Sequence, residues 1–386
     1  MWLLCHGMHL PGLAHARTLW AYLDTEQNWG SERSRTLRLW SYFSDLKRFK
    51  SKDPRDHVYG VLGLYQRSIA PETNIPRLLY PDYTRPAAEV FRDATRYIIS
   101  VMKDLRVLTV LHNHPDNAQR PEEPSPPSWA VSLDVDKGKG DPGDFRRGLR
   151  CCGRHRHAVV RKHADLNVLA VKGILVDSVA RPRLEVDTQL KSPCDHAEAF
   201  SYLIEVLRTA GWDDEKAFEM LAMTLVAGSD NRWEPVNADV ATKNLKICQM
   251  YLRRADWLLA GLDIHGVPRK TPGDRKEFVK GGQELHHHPD THASFEHREA
   301  FVHACLNRHV FLTTSGRLGV GPVRMEEGDL IAALWGCPAA VVLRRVAGTK
   351  SECTIVGVAY VYGIMEGEAV EAHEAAGGSG SVFLLR

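Results

Sequence analysis

Cys151, Cys152, His155 and His157 stand as C-C-x-x-H-x-H, and all four are residue types that bind zinc. Structural zinc sites draw on ligand pairs at spaced positions, and vicinal cysteines rarely both reach one ion. A second group, His286, His287, His288, His292, His297 and His303, begins in a Gly/Pro-rich stretch, and only His297 and His303 fall on the helix expected near 294–307. It contains neither H-E-x-x-H nor a carboxylate at fixed spacing. No metal site is assigned, and no catalytic or cofactor-binding residue either.

Three other stretches carry charge or glycine in suggestive order. In Asp53-Pro54-Arg55-Asp56, Asp53 can accept from the free N–H groups of a first helical turn, and Pro54 suits the first helical position. Asp56 favours the positive helix end, and Val58, Val61, Leu62 and Tyr65 make an apolar stripe behind it. Capping thus accounts for most of the order and leaves Arg55 and His57 without a task. Phe145 to Lys162 holds seven basic side chains and no acid. A phosphate-binding loop would use them, but no aromatic residues interleave beyond Phe145, so a solvated basic loop is the better reading. "GRLGVGP", Gly316 to Pro322, lies between expected strands with no helix behind it, so it is no dinucleotide fingerprint. Its glycines, Gly316, Gly319 and Gly321, and the Gly328-Asp329 pair are expected at corners of a curved strand.

The residues around these stretches must fold to position them. The chain has 386 residues, 44% apolar and 25% charged, enough for two or three ordinary domains. A net charge of +2 argues against nucleic acid as a partner and names no anionic membrane. No apolar run approaches the ~20 residues of a membrane span. "MWLLCHGMHL" lacks a basic start and is broken by histidines, so it does not read as a signal peptide. Eight scattered cysteines without C-x-x-C spacing read as buried thiols of a cytoplasmic protein.

Helical periodicity dominates residues 1–111, with a helix start at Thr84 placing Val90, Phe91, Ala94, Tyr97 and Ile98 on one face. A Pro/Gly-rich linker follows over 112–150, within which "PSWAVSLD" can dock Trp129 on a core. The remainder, 151–386, reads as a β-barrel-like domain with a helical insertion over 195–307. "AVVRKH" and "LNVLAVKGILVDSVA" are strands that need partners, and the short strands from "HVFLTT" to "CTIVGVAYVYG" can supply them. The tail "AHEAAGGSGSVFLLR" reads as loose and then strand-like. The fold class expected is α+β, with helical N-terminal and middle segments packed on a small C-terminal β-barrel or curved antiparallel sheet.

Several blocks, in order, resemble a known family. "DPRDHVYGVLGL", "YPDYTRPAAEVFRDATRYII" and "PSWAVSLD" are similar to the region that follows and completes the heterokaryon incompatibility (HET) domain of filamentous fungi. "LNVLAVKGILVDSV" resembles that family's strand pair. The C-terminal block resembles it through Gly316, Gly319, Gly321, Pro322, Gly328, Asp329, Arg344, Tyr360, Gly363 and Glu368. Tyr362 stands where the family's usual pattern has His. The aromatic-rich HET core motif is absent, so the resemblance implies the part C-terminal to that core. The core itself is compared with TIR domains, some of which cleave NAD, and any such chemistry would belong to it. What the resemblance implies is a non-catalytic protein acting in non-self recognition and incompatibility cell death through contacts with other proteins. The alternative is an enzyme or accessory protein of a secondary-metabolite pathway, with a pocket between the helical part and the barrel.

Overall fold

The computed structural model describes residues 51–68, 76–111, 125–132, 149–181, 202–230, 235–246, 300–301, 304–305, 307–349 and 351–386. They fall into two compact units. The first takes the described residues up to Lys103 together with 125–126 and 130–132.

In the first unit, α1 spans Asp56–Ser68 and α2 spans Ala87–Met102. The i, i+3, i+4 stripe of α2 is buried at Val90, Phe91, Ala94, Tyr97 and Ile98, and Lys103 ends the helix in a left-handed cap. Both helices start later than the sequence pattern indicated. Pro54 and Arg55 form a turn before α1. Thr84 does not cap α2: its hydroxyl and its N–H both go to Asp82 Oδ1, and the cap position is Pro86. The physical reason is Pro86, which holds Arg85 out of the helical region.

The second unit begins at Asp104 and contains Trp129 and everything described from Leu149 onward. Residues 104–111, grouped with the N-terminal helices in the sequence reading, belong to it; Leu105 N–H donates to Gly336 O at 2.8 Å. Eight strands build its sheet: β1 (Val160–Arg161), β2 (Leu169–Arg181), β3 (Arg308–Thr313), β4 (Leu318–Pro322), β5 (Leu330–Leu334), β6 (Ala340–Arg345), β7 (Glu352–Val361) and β8 (Ser381–Leu385). The ladders β2–β3–β4–β7–β6–β5 return to β2 through Gly173↔Leu334 to Ser178↔Leu330, so the sheet closes into a ring. The strand that had no local partner thus finds three after residue 307: β3 and β5 in the ring, and β8. Four consecutive positions of β5 (Ile331–Leu334) and of β6 (Ala340–Leu343) are buried, as a sheet covered on both faces requires.

The ring is barrel-like rather than a clean barrel. β8 branches from it, antiparallel to β2 at Leu169–Gly173 and parallel to β7 at Glu352–Cys353, so the sheet is not wholly antiparallel. A parallel pair needs a crossover, and α4 (Glu368–Ala375) lies in that connection; its last four residues were expected to be the start of a loose tail. "AVVRKH" contributes only the two residues of β1. α3 (Asp214–Leu225) lies on β4: Leu318 N–H points to Met220 Sδ at 3.2 Å. Residues 202–209 and 238–246 are also helical. Trp129 is fully buried, its indole N–H donating to Asn167 O at 2.8 Å.

Candidate functional site

A cleft of about 450 Å³ opens in the second unit between α3, the β4–β7 wall and the start of α4. Asp213 caps α3, accepting from Lys216 N–H at 2.8 Å, and this fixes the helix phase. Lys216, Glu219 and Met223 then share one face, at i, i+3 and i+7, and line the cleft. The opposite wall is set by β7 ladder pairing, Gly319↔Val361 and Val320↔Tyr360, after which Tyr362 N–H donates to Leu318 O at 3.0 Å. Trp212 lines one side, and its indole N–H donates to Gly316 O at 2.7 Å.

Three polar groups on these walls satisfy one another. Lys216 Nζ lies 3.0 and 3.1 Å from the two Glu219 oxygens, and Tyr362 Oη donates to Glu219 Oε1. The Lys216 ammonium sits 5.2 Å from the Tyr362 ring centroid. Their titration follows from this. Bonds to Tyr362 and Glu219 push Lys216 up. Burial raises the Glu219 carboxyl, but the bonds from Tyr362 and Lys216 outweigh it and the net direction is down. Burial and then Glu219 push Tyr362 up. Each is moved away from neutrality, the reverse of what proton transfer at neutral pH needs. Glu366 differs: burial, then the neighbouring Glu368 carboxylate, raise it, with Arg150 acting the other way.

Of the residues singled out in the sequence, Tyr360, Tyr362, Gly363 and Glu368 line this cleft, and Gly316 supports Trp212. The others lie elsewhere. Gly319 sits inside β4 against Phe311, where a Cβ would come within 2.6 Å of the ring. Gly321 and Pro322 pair with His309 and Arg308. Asp329 and Arg344 form a forked ion pair, Nε to Oδ1 and Nη2 to Oδ2, both 2.9 Å. Gly328 turns the chain into β5 with φ +85°. In the first unit, Asp53 accepts from Arg55 N–H and Nε, both at 2.9 Å. Arg55, which had no task in the sequence, donates to the carbonyls of Tyr83 and, at 2.9 Å, Arg85, while Tyr83 Oη donates to Asp56 at 2.7 Å. The motif therefore clamps the loop before α2.

The possible zinc ligands serve separate places. Cys151 and Cys152 are buried thiols pushed up by burial. His155 stacks on Trp335 at 4.1 Å and bonds Glu374 at 2.6 Å, and His157 is exposed. Among the described residues no group of three or more His, Cys, Asp or Glu could hold a metal ion. All six histidines of the second group, His286 to His297 and His303, lie outside the described residues.

The sequence reading missed Lys216, Glu219, Arg317 and Glu366. Only the i, i+3 spacing of Lys216 and Glu219 behind Asp213 was visible in the chain.

Residues 272–377 match the Het-6 beta-barrel domain. That is a HET-related domain, and the matched span takes in β3 through β7 and α4. β2 and β8, which also pair in the sheet, lie outside it. The match supports the HET resemblance in general and a link to heterokaryon incompatibility. No curated protein and no solved structure matches the chain. No helix among the described residues is long and apolar enough to cross a membrane.

Proposed function

We propose that this chain is a HET-class fungal protein of the cytoplasm, formed by the part C-terminal to a HET core. It acts in non-self recognition and incompatibility cell death through contacts with other proteins, without catalysing a reaction. The observation that carries this reading is the Het-6 barrel match over 272–377. The polar trio Lys216–Glu219–Tyr362 supports recognition over catalysis, because its members are spent on each other. The test is genetic. The gene is deleted in its fungal host, and incompatible strains are paired while fused cells are scored with a vital dye. Loss of cell death on deletion, restored by the wild-type gene, is expected. Unchanged death in the deletion strain sinks the proposal.

The cleft between α3 and the barrel wall favours a second reading, an accessory protein or enzyme of a secondary-metabolite pathway. That reading requires the deletion strain to change its metabolite profile while its incompatibility reaction stays intact.

A further inference from the structure

Tyr360 is only 3% exposed, yet it lines the cleft and its hydroxyl has no hydrogen bond among the described residues. The hydroxyl oxygen is not sealed in the core: it opens on the cleft, where a ligand can take the place of water. The fold makes room for this phenol. Gly228, with φ +67°, also lines the cleft, and a Cβ there would come within 3.0 Å of the Tyr360 ring. The left-handed backbone and the missing side chain are both what glycine supplies.

The charges around that hydroxyl are mostly negative. Burial is the main cause that raises the Tyr360 phenol, and the other causes are Tyr362 and the carboxylates of Glu368, Glu366 and Glu219. Glu219 is already neutralised by Lys216. Arg317 also lines the cleft, but its guanidinium leans toward Asp177, 4.0 Å away. Glu366 has no ion pair among the described residues; Arg150 favours its charge, but burial and the like charge of Glu368 outweigh this. An unmatched acid, an unpartnered hydroxyl and an apolar wall thus meet in one cavity. The cavity volume falls in the ~300–1,000 Å³ range of small-molecule sites.

We propose that the cleft binds a small organic ammonium ion. Its N–H groups donate to the Tyr360 hydroxyl and the Glu366 carboxylate, and its apolar body lies against Trp212 and Met223. This stands apart from the incompatibility reading: binding is measured on purified protein, and its failure leaves the genetic test untouched.

Full-length protein is titrated with phenethylamine and, separately, with 3-phenylpropionate, which has a similar body and the opposite charge. Binding is followed by calorimetry. Saturable binding of the amine is expected, with the carboxylate at least about tenfold weaker. Glu366→Gln and Tyr360→Phe should each weaken the amine roughly tenfold, the worth of one charge-assisted hydrogen bond. Without ligand, Tyr360→Phe should melt no lower than the parent, since the hydroxyl it removes has no protein partner. No saturable amine binding, equal binding of the carboxylate, or affinity unchanged in both variants overturns the proposal. A lower melting temperature for Tyr360→Phe overturns it too, because the hydroxyl would then have a partner within the fold.

Discussion

Replacing Arg344 by Met should destabilise the barrel by about 2–3 kcal/mol, and the number follows from what Asp329 keeps and loses. The Asp329 side chain is 3% exposed and accepts two bonds from Arg344, both at 2.9 Å, and one from Glu326 N–H at 2.8 Å. Removing one partner of a fully buried ion pair costs about 3–5 kcal/mol, because the other charge is left in a poor dielectric. Two features lower that here. The Glu326 N–H remains, and Arg344 is 34% exposed, so water enters the space its head vacates. The bond from Arg344 to Arg324 O, at 2.7 Å, is lost as well and adds to the cost. With an m-value of about 2 kcal/mol per M, the urea midpoint should fall by roughly 1 M at unchanged slope. Adding Asp329→Asn to Arg344→Met removes the stranded charge and should restore about 1 kcal/mol, so the two losses are not additive. Arg344→Lys should rescue little, since an ammonium cannot make the fork. A loss below about 0.5 kcal/mol for Arg344→Met, or strict additivity in the double variant, would falsify the claim that this pair holds the β5–β6 corner.

Four further variants have expected outcomes. Gly319→Ala should cost about 1–3 kcal/mol, since its Cβ would meet Phe311 at 2.6 Å and Tyr360 O at 2.8 Å. Gly60→Ala, on open helix surface, should instead gain about 0.5–1 kcal/mol, and thermal melts of the two variants compare the signs. Arg55→Lys should lose the fork to Asp53 and Arg85 O and speed amide exchange over residues 82–86 in hydrogen-exchange mass spectrometry, whereas unchanged exchange would deny the clamp. Asp177 is raised by burial, but bonds from Ser315 and Thr314 outweigh this and hold its carboxyl below 3.8. Its stabilising contribution is therefore full above that value and is lost as pH falls through the lower folded value. Asp177→Asn should flatten the acid limb of a stability-against-pH curve, and an unaltered limb counts against the assignment.

How far the sequence could be read depended on how local each cause was. β2 was legible as an orphan strand because "LAVKGILVDSV" is apolar on both faces, and such a strand demands partners. The α2 face was legible for the same reason, a strong period. Its start was not, because Thr84 had a nearer acceptor in Asp82 than the helix amides. α4 escaped notice since only Val370 of its eight residues is buried, which leaves almost no periodic signal. Parallel pairing of β7 with β8 went with it, as the crossover helix was not seen. Arg55 could not be understood from neighbours, because two of its acceptors are main-chain carbonyls, which carry no residue identity. The cleft was hidden by distance: Tyr362 and Glu219 meet only after the chain has closed its ring.

Closure of the ring also builds the cleft. β2 ends at Arg181 and β3 begins at Arg308, and the two pair at Val179↔Thr313 and Arg181↔Leu312, so the long segment between them connects neighbouring strands. Closing a long loop costs only slightly more than closing a short one, so the ring tolerates what is carried there. It carries α3, which is laid on β4 by Met220 and by Thr224, whose hydroxyl reaches Leu318 O at 3.5 Å. Lys216, Glu219 and Met223 come from that segment, while Arg317, Tyr360, Tyr362 and Glu366 come from the barrel strands and the turns around them. Each half supplies one wall, and neither half has a cleft alone. Substitutions on the exposed face of α3 can therefore retune what the cleft accepts without disturbing a single ladder bond, while the Asp329–Arg344 pair and Gly319 keep the opposing wall fixed.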